Sequence, residues 1–275
     1  MDIETRLSQE DENIGWHAAF VQALKVELLD YRDKLEFETE HQLTSESLRI
    51  DLVVIKKSPG VEIIKNIGEI FRGFNLWEYK NPHDSLSVKD YYKCFGYLYL
   101  YLSQEKDAVI DDITLSFAVT MKPESLLAYL ESRENIQVTY RSNGIYMIMG
   151  EIVPVQIIES KLLDDEDNLW LKALSDNIEM QTLQKIIRES DKMYRTLDIG
   201  AYIEAVALAN IESIKELINL RNERLDAVFR SAGLIPIEEA EEMRTREEQR
   251  AKKEEQRAKK FEDNIKTVKK CSMKI

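Results

Sequence analysis

A chain of 275 residues with 44% apolar side chains can bury a sizeable core, as one large domain or as a domain with an appendage. Its net charge of −13 repels phosphate and argues against tight, indiscriminate nucleic-acid binding, because such affinity comes from Lys and Arg neutralising the backbone. No stretch approaches the roughly 18 apolar residues of a membrane span, Met1-Asp-Ile-Glu is acidic with no apolar run behind it, and Cys94 and Cys271 have neither disulfide nor metal-ligand spacing, so a cytoplasmic chain without a leader is expected.

Residues 1–12 are polar. Asn13 is a candidate N-cap for a helix from Ile14 to Tyr31, whose buried stripe is Trp16, Phe20, Leu24, Leu28 and Tyr31. Leu35 to Leu43 has strand character, and Thr44 to Ser47 is a turn leading into a strand from Leu48 to Ile55. Lys57-Ser-Pro-Gly60 breaks the chain, Ile63 to Phe71 reads as a short helix, and Phe74 to Lys80 is a strand stopped by Asn81-Pro82. A helix capped by Ser85 or Ser87 runs to about Ser103, with Val88, Tyr91, Tyr92, Phe95, Tyr99 and Leu102 on its inner face. The alternation from Phe95 to Tyr101 leaves a strand open there, and base stacking by these aromatic rings stands beside core packing, which their helical spacing favours. Ile113 to Val119 alternates as a half-buried strand. Pro123 opens a helix to Ser132, Asn143-Gly144 marks a hairpin within Val138 to Met149, and Ile152 to Glu159 is one more strand.

Beyond Asn168 the patterns are helical only, over Leu169–Leu174, Leu183–Tyr194, Ile203–Leu220 and Glu223–Ala232. The expected organisation is an α/β module at 1–167, a helical region at 168–236 and a charged helical tail at 237–275. The tail repeats Glu-Glu-Gln-Arg-Ala-Lys-Lys at 247–253 and 254–260. A coiled coil needs two apolar positions per heptad and each repeat offers one alanine, so a solvated helix held by Glu–Lys pairs is the simpler reading. Homo-oligomer formation through the C-terminal helices, or DNA contact by the tail, is the alternative. From Arg244 onward there are 12 basic and 6 acidic residues, against 26 and 45 before it.

Three acids stand where packing alone would not put them. Asp51 interrupts the apolar run Leu-Arg-Ile-Asp-Leu-Val-Val-Ile. Glu78 and Lys80 share one face of the next strand with Phe74 and Leu76, because side chains alternate. Glu27 lies in the middle of the first helix's apolar stripe, where a buried carboxylate needs a metal, a lysine or hydrogen-bond donors. Structural readings stand beside these: Asp51 satisfied by the backbone or Arg49, Glu27 by a purely structural partner or half-wet at the module's edge, and Lys80 as an exposed strand end. Two carboxylates with a lysine beside them suit Mg²⁺, which takes oxygen ligands, activates water and stabilises charge on a phosphoryl group. His17, His41 and His83 lack zinc-site spacing, and no P-loop, dinucleotide fingerprint or nucleophile elbow is present.

Asp51, then Glu78-Tyr79-Lys80, then a Tyr-rich helix resembles the PD-(D/E)XK nuclease superfamily. Within it the chain is similar to the branch of recombination-promoting nucleases and transposase-like proteins. Leu-Arg-Ile-Asp-Leu-Val-Val-Ile-Lys-Lys and Glu-Tyr-Lys-Asn-Pro carry that likeness, which covers about residues 13–165. The resemblance implies a restriction-endonuclease-like α/β core, a mixed sheet flanked by helices; the helical patterns beyond Asn168 add an all-α C-terminal extension to it. The resemblance also implies Mg²⁺-dependent (or Mn²⁺-dependent) hydrolysis of DNA phosphodiesters. Asp51 and Glu78 would be metal ligands, with the Tyr79 carbonyl beside the metal. Lys80 would be the catalytic lysine, and Glu27 the acid that many members carry on the first core helix. The chain departs from the pattern in having Ile50 before Asp51 rather than proline, and 26 residues between Asp51 and Glu78.

Overall fold

Among the described residues, apolar runs cut by turn residues give seven short strands, and all of these join one sheet. The structure, a computed structural model, describes residues 14–39, 52–193 and 196–214. The strands are β1 (Leu35–Thr39), β2 (Leu52–Lys57), β3 (Phe74–Lys80), β4 (Ile113–Val119), β5 (Gln137–Ser142), β6 (Ile145–Met149) and β7 (Val155–Glu159). Their order is β1-β2-β3-β4-β7-β6-β5. The outer pairs are antiparallel, whereas β3–β4 and β4–β7 are parallel. The helices are α1 (Trp16–Glu27), α2 (Val88–Gln104), α3 (Glu124–Glu131), α4 (Asp165–Lys172), α5 (Met180–Met193) and α6 (Gly200–Ala209).

Alternation along β3 sorts its side chains between two cores. Phe74 meets Tyr101 of α2 with ring centroids 5.9 Å apart, and Leu76 joins Tyr91, Cys94 and Leu98 of α2 in one cluster. Trp77 and Tyr79 point the other way, onto Phe20 of α1. The mixed sheet is therefore flanked by α2 on one face and by α1 on the other. Helices α4 and α6 pack on α1, and α5 packs on α4. These helices belong with the sheet to one compact unit. No helix among the described residues is long and apolar enough to cross a membrane.

Several expectations change against this frame. The first helix begins at Trp16 with Gly15 before it and ends at Glu27. Leu28 leaves helical geometry (φ −103°, ψ 19°), and a 3₁₀ turn follows at Leu29–Tyr31. Ile63 to Phe71 is not a helix. Its regular structure is one 3₁₀ turn at Asn66–Gly68, entered through extended Lys65, with Ile63, Ile67 and Phe71 buried as separate anchors. Strand β4 is buried at all seven positions rather than half-buried, because it is central, has parallel neighbours on both sides, and lies between the two helical faces. The segment 95–101 is helical, but the inner face of α2 carries Tyr91, Cys94, Phe95, Leu98 and Tyr101, while Tyr92 and Tyr99 face solvent. Helix α4 starts at Asp165 and is interrupted at Asn168 (φ −140°, ψ 46°). The expectations for Asn13, for the turn at 44–47, for residues 215–232 and for the repeat tail lie outside the described residues.

Candidate functional site

Glu78 and Lys80 leave β3 on its α2 side, as their spacing requires. The Lys80 Nζ lies 3.3 Å from Glu78 Oε1 and 3.2 Å from Asp90 Oδ1, with the Glu78 and Lys80 side chains 7% and 14% exposed. Asp90 comes from the first turn of α2, where Ser87 and Asp90 form a capping box. The Asp90 amide donates to Ser87 Oγ at 3.2 Å, and the Ser87 amide donates to Asp90 Oδ2 at 3.1 Å. The cap thus aims a carboxylate at Lys80 from the element that follows β3.

Burial opposes the Lys80 charge, but Glu78 and Asp90 outweigh it and hold the ammonium above the ordinary lysine value. Lys80 is therefore a cation at neutral pH, suited to attracting phosphate and orienting water, and unsuited to accepting a proton. Burial pushes the Asp90 carboxyl up, yet the Ser87 and Lys80 hydrogen bonds more than offset it, so it sits below the ordinary aspartate range. Cys94, one turn further along α2, is buried, and desolvation drives its thiol far above the usual range, which removes it as a nucleophile.

Tyr79 projects to the opposite face. Its ring stacks on Phe20 at 4.7 Å and 10°, and its hydroxyl donates to the Leu174 carbonyl at 3.3 Å, tying β3 to the helices behind it. Glu27 also lies on that side, apart from Glu78 and Lys80. Its Oε1 accepts from the amides of Trp170 (2.7 Å) and Leu171 (3.1 Å), and its Oε2 pairs with Lys65 Nζ at 2.7 Å. Asn168 breaks α4 just before those amides, so they are unsatisfied first-turn donors of a restarted helix, and Glu27 caps them. Glu27, expected as an assisting acid, is thus not brought together with Glu78 and Lys80, and its carboxylate is held by three donors.

Asp51 immediately precedes β2 and lies outside the described residues, while its neighbour Leu52 pairs with Glu78. Among the described residues no cluster of three or more His, Cys, Asp or Glu is positioned to hold a metal ion. Glu78 supplies one hard oxygen donor group of the kind Mg²⁺ takes. Compared with protein-family models, with curated proteins and with solved structures, the chain matches none of them.

The sequence reading passed over Asp90, although Ser87-x-x-Asp90 ahead of an apolar run signals a capping box. It also passed over Lys65, which has no local signal because its partner is 38 residues away in sequence.

Proposed function

We propose that the chain is a Mg²⁺-dependent DNA endonuclease of the PD-(D/E)XK type, built on a restriction-endonuclease-like core. The observation that carries this reading is the buried cation Lys80, held 3.3 Å from Glu78 on one strand face at the point where β2 begins. Asp51, Glu78 and the Tyr79 carbonyl would hold the metal, which when bound supplies charge stabilisation to the phosphoryl oxygens and acidifies water. Lys80, fixed by Asp90, orients the attacking water and offsets the developing negative charge. Asp90 is a positioning residue and Glu27 takes no part in the chemistry.

The same geometry favours a second reading, a nuclease-type core kept as an interaction module. Lys80 already occupies the Glu78 carboxylate and is itself clamped by two acids, which a silent site would retain as a plain ion-pair cluster. Nicking of supercoiled plasmid in Mg²⁺ or Mn²⁺ separates the two. Endonuclease activity is expected to fall by about 10³-fold or more in Lys80→Ala, Asp51→Asn and Glu78→Gln. Wild type that nicks no better than these variants favours the interaction module.

A further inference from the structure

The outer stripe of α2 stands out in so acidic a chain. Its exposed residues include Lys89, Tyr92, Lys93, Gly96, Tyr99 and Leu100, followed by Ser103 and Gln104, and none is acidic. Tyr92 is 40% exposed and Tyr99 48%. They are seven residues apart, two helical turns or roughly 10 Å along one face. Between them sits Gly96, where an added Cβ would meet nothing within 4 Å, so the helix backbone is open to a flat group lying between the rings.

Tyr92 is held in place rather than loose. Its hydroxyl lies 3.0 Å from that of Tyr129 on α3, and Arg133 donates to it as well. Its ring lies nearly perpendicular to that of Tyr91, with centroids 5.6 Å apart. A ring held at its hydroxyl and against a neighbouring ring, yet still part-exposed, loses little freedom when something stacks on it. The stripe also leads to the candidate site. Asp90, in the same first turns of α2, grips Lys80, and Lys93 lies within electrostatic reach of both Glu78 and Lys80.

We infer that the outer face of α2 is a docking track for an unpaired nucleic-acid strand, with Tyr92 and Tyr99 stacking on bases and Lys89 and Lys93 neutralising phosphates. This assignment rests on the proposed nuclease reading for its choice of ligand. Charge and chemistry select the occupant. Aromatic faces stack on any base, and two exposed lysines on a stripe with no exposed acid suit a polyanion, although Glu78 lies within electrostatic reach of Lys93. A protein partner fits less well, since three large exposed side chains interrupted by a glycine fall short of the roughly 800 Å² per partner of a stable interface.

The test is binding of a fluorescein-labelled oligo-dT to the full chain in EDTA, where no cleavage can contribute, across a series of salt concentrations. Tyr92→Ala and Tyr99→Ala are each expected to weaken binding by at least about fivefold, with Tyr→Phe at either position close to wild type. Lys89→Gln with Lys93→Gln is expected to flatten the slope of log affinity against log salt by about 1.4. If an alanine variant fails to fold, the lysine slope decides. No oligo-dT binding by wild type, or folded variants that all bind as wild type does, would overturn the track. So would tyrosine variants whose only change is loss of self-association by sedimentation. Plasmid nicking is scored separately, so loss of the track leaves the nuclease reading standing, and absent nicking leaves the binding result intact.

Discussion

Removing the Glu27 carboxylate takes its ion-pair partner from Lys65, which keeps only the Asp167 carbonyl, and an acceptor from two amides at once. Lys65 is only 20% exposed, and the Trp170 and Leu171 amides have Glu27 as their acceptor. Breaking one side of such a buried pair costs about 3–5 kcal/mol, so Glu27→Ala is expected to lower unfolding stability by that order in a denaturant titration. Adding Lys65→Met should recover part of the loss, because the uncompensated charge goes with it. Asp90 offers a test by pH. Its folded-state pKa lies below the ordinary 3.8, so its ionised form contributes stability that is fully present above that value and lost as pH falls through the lower folded one. Asp90→Asn is therefore expected to destabilise by about 1 kcal/mol at neutral pH. The gap to wild type should close below about pH 4 as the native carboxylate protonates; a gap independent of pH would remove charge from the explanation.

Helices and strands were legible wherever local chemistry set them. β3 and β4 match their expected spans because β-branched and aromatic alternation is bounded by Gly73, Asn81-Pro82 and charged turns. The hairpin is where Asn143-Gly144 put it, with φ of 44° and 81° at the two turn residues. Alternation also placed Glu78 and Lys80 on one face. Tertiary context decided the rest. Ile63, Ile67 and Phe71 recur four apart like a helix, yet they plug separate positions around Gly68. The buried face of α2 could not be chosen between adjacent tyrosines, because Tyr91 and Tyr92 differ only in which way the helix is turned against β3 and β4. Gly150 gives an element-scale test. Its φ is +95°, and a Cβ there would lie 1.9 Å from the Asn135 carbonyl oxygen, at the loop joining β6 to β7. Gly150→Ala is expected to cost about 3 kcal/mol or more in a thermal or denaturant melt, since backbone would have to move on both sides.

At the scale of the whole molecule, an excess of 13 negative charges limits how the proposed nuclease could hold DNA. A protein that neutralises 6–10 phosphates loses about 10³–10⁵ in affinity between 50 and 200 mM salt. The described face near the candidate site offers Lys80, Lys89 and Lys93, enough for about three phosphates and a log–log slope near −2.7 on duplex DNA. A fourfold rise in salt, at constant Mg²⁺, is then expected to slow nicking of subsaturating plasmid by roughly 40-fold. A much steeper loss would mean that cations elsewhere do the holding, and the sequence names the candidates: from Arg244 onward there are 12 basic residues against 6 acidic. Deleting 244–275 and repeating the salt series decides between them. A slope unchanged by the deletion leaves the binding to the α2 face and the metal, whereas a slope that collapses towards −2.7 assigns the excess to the tail.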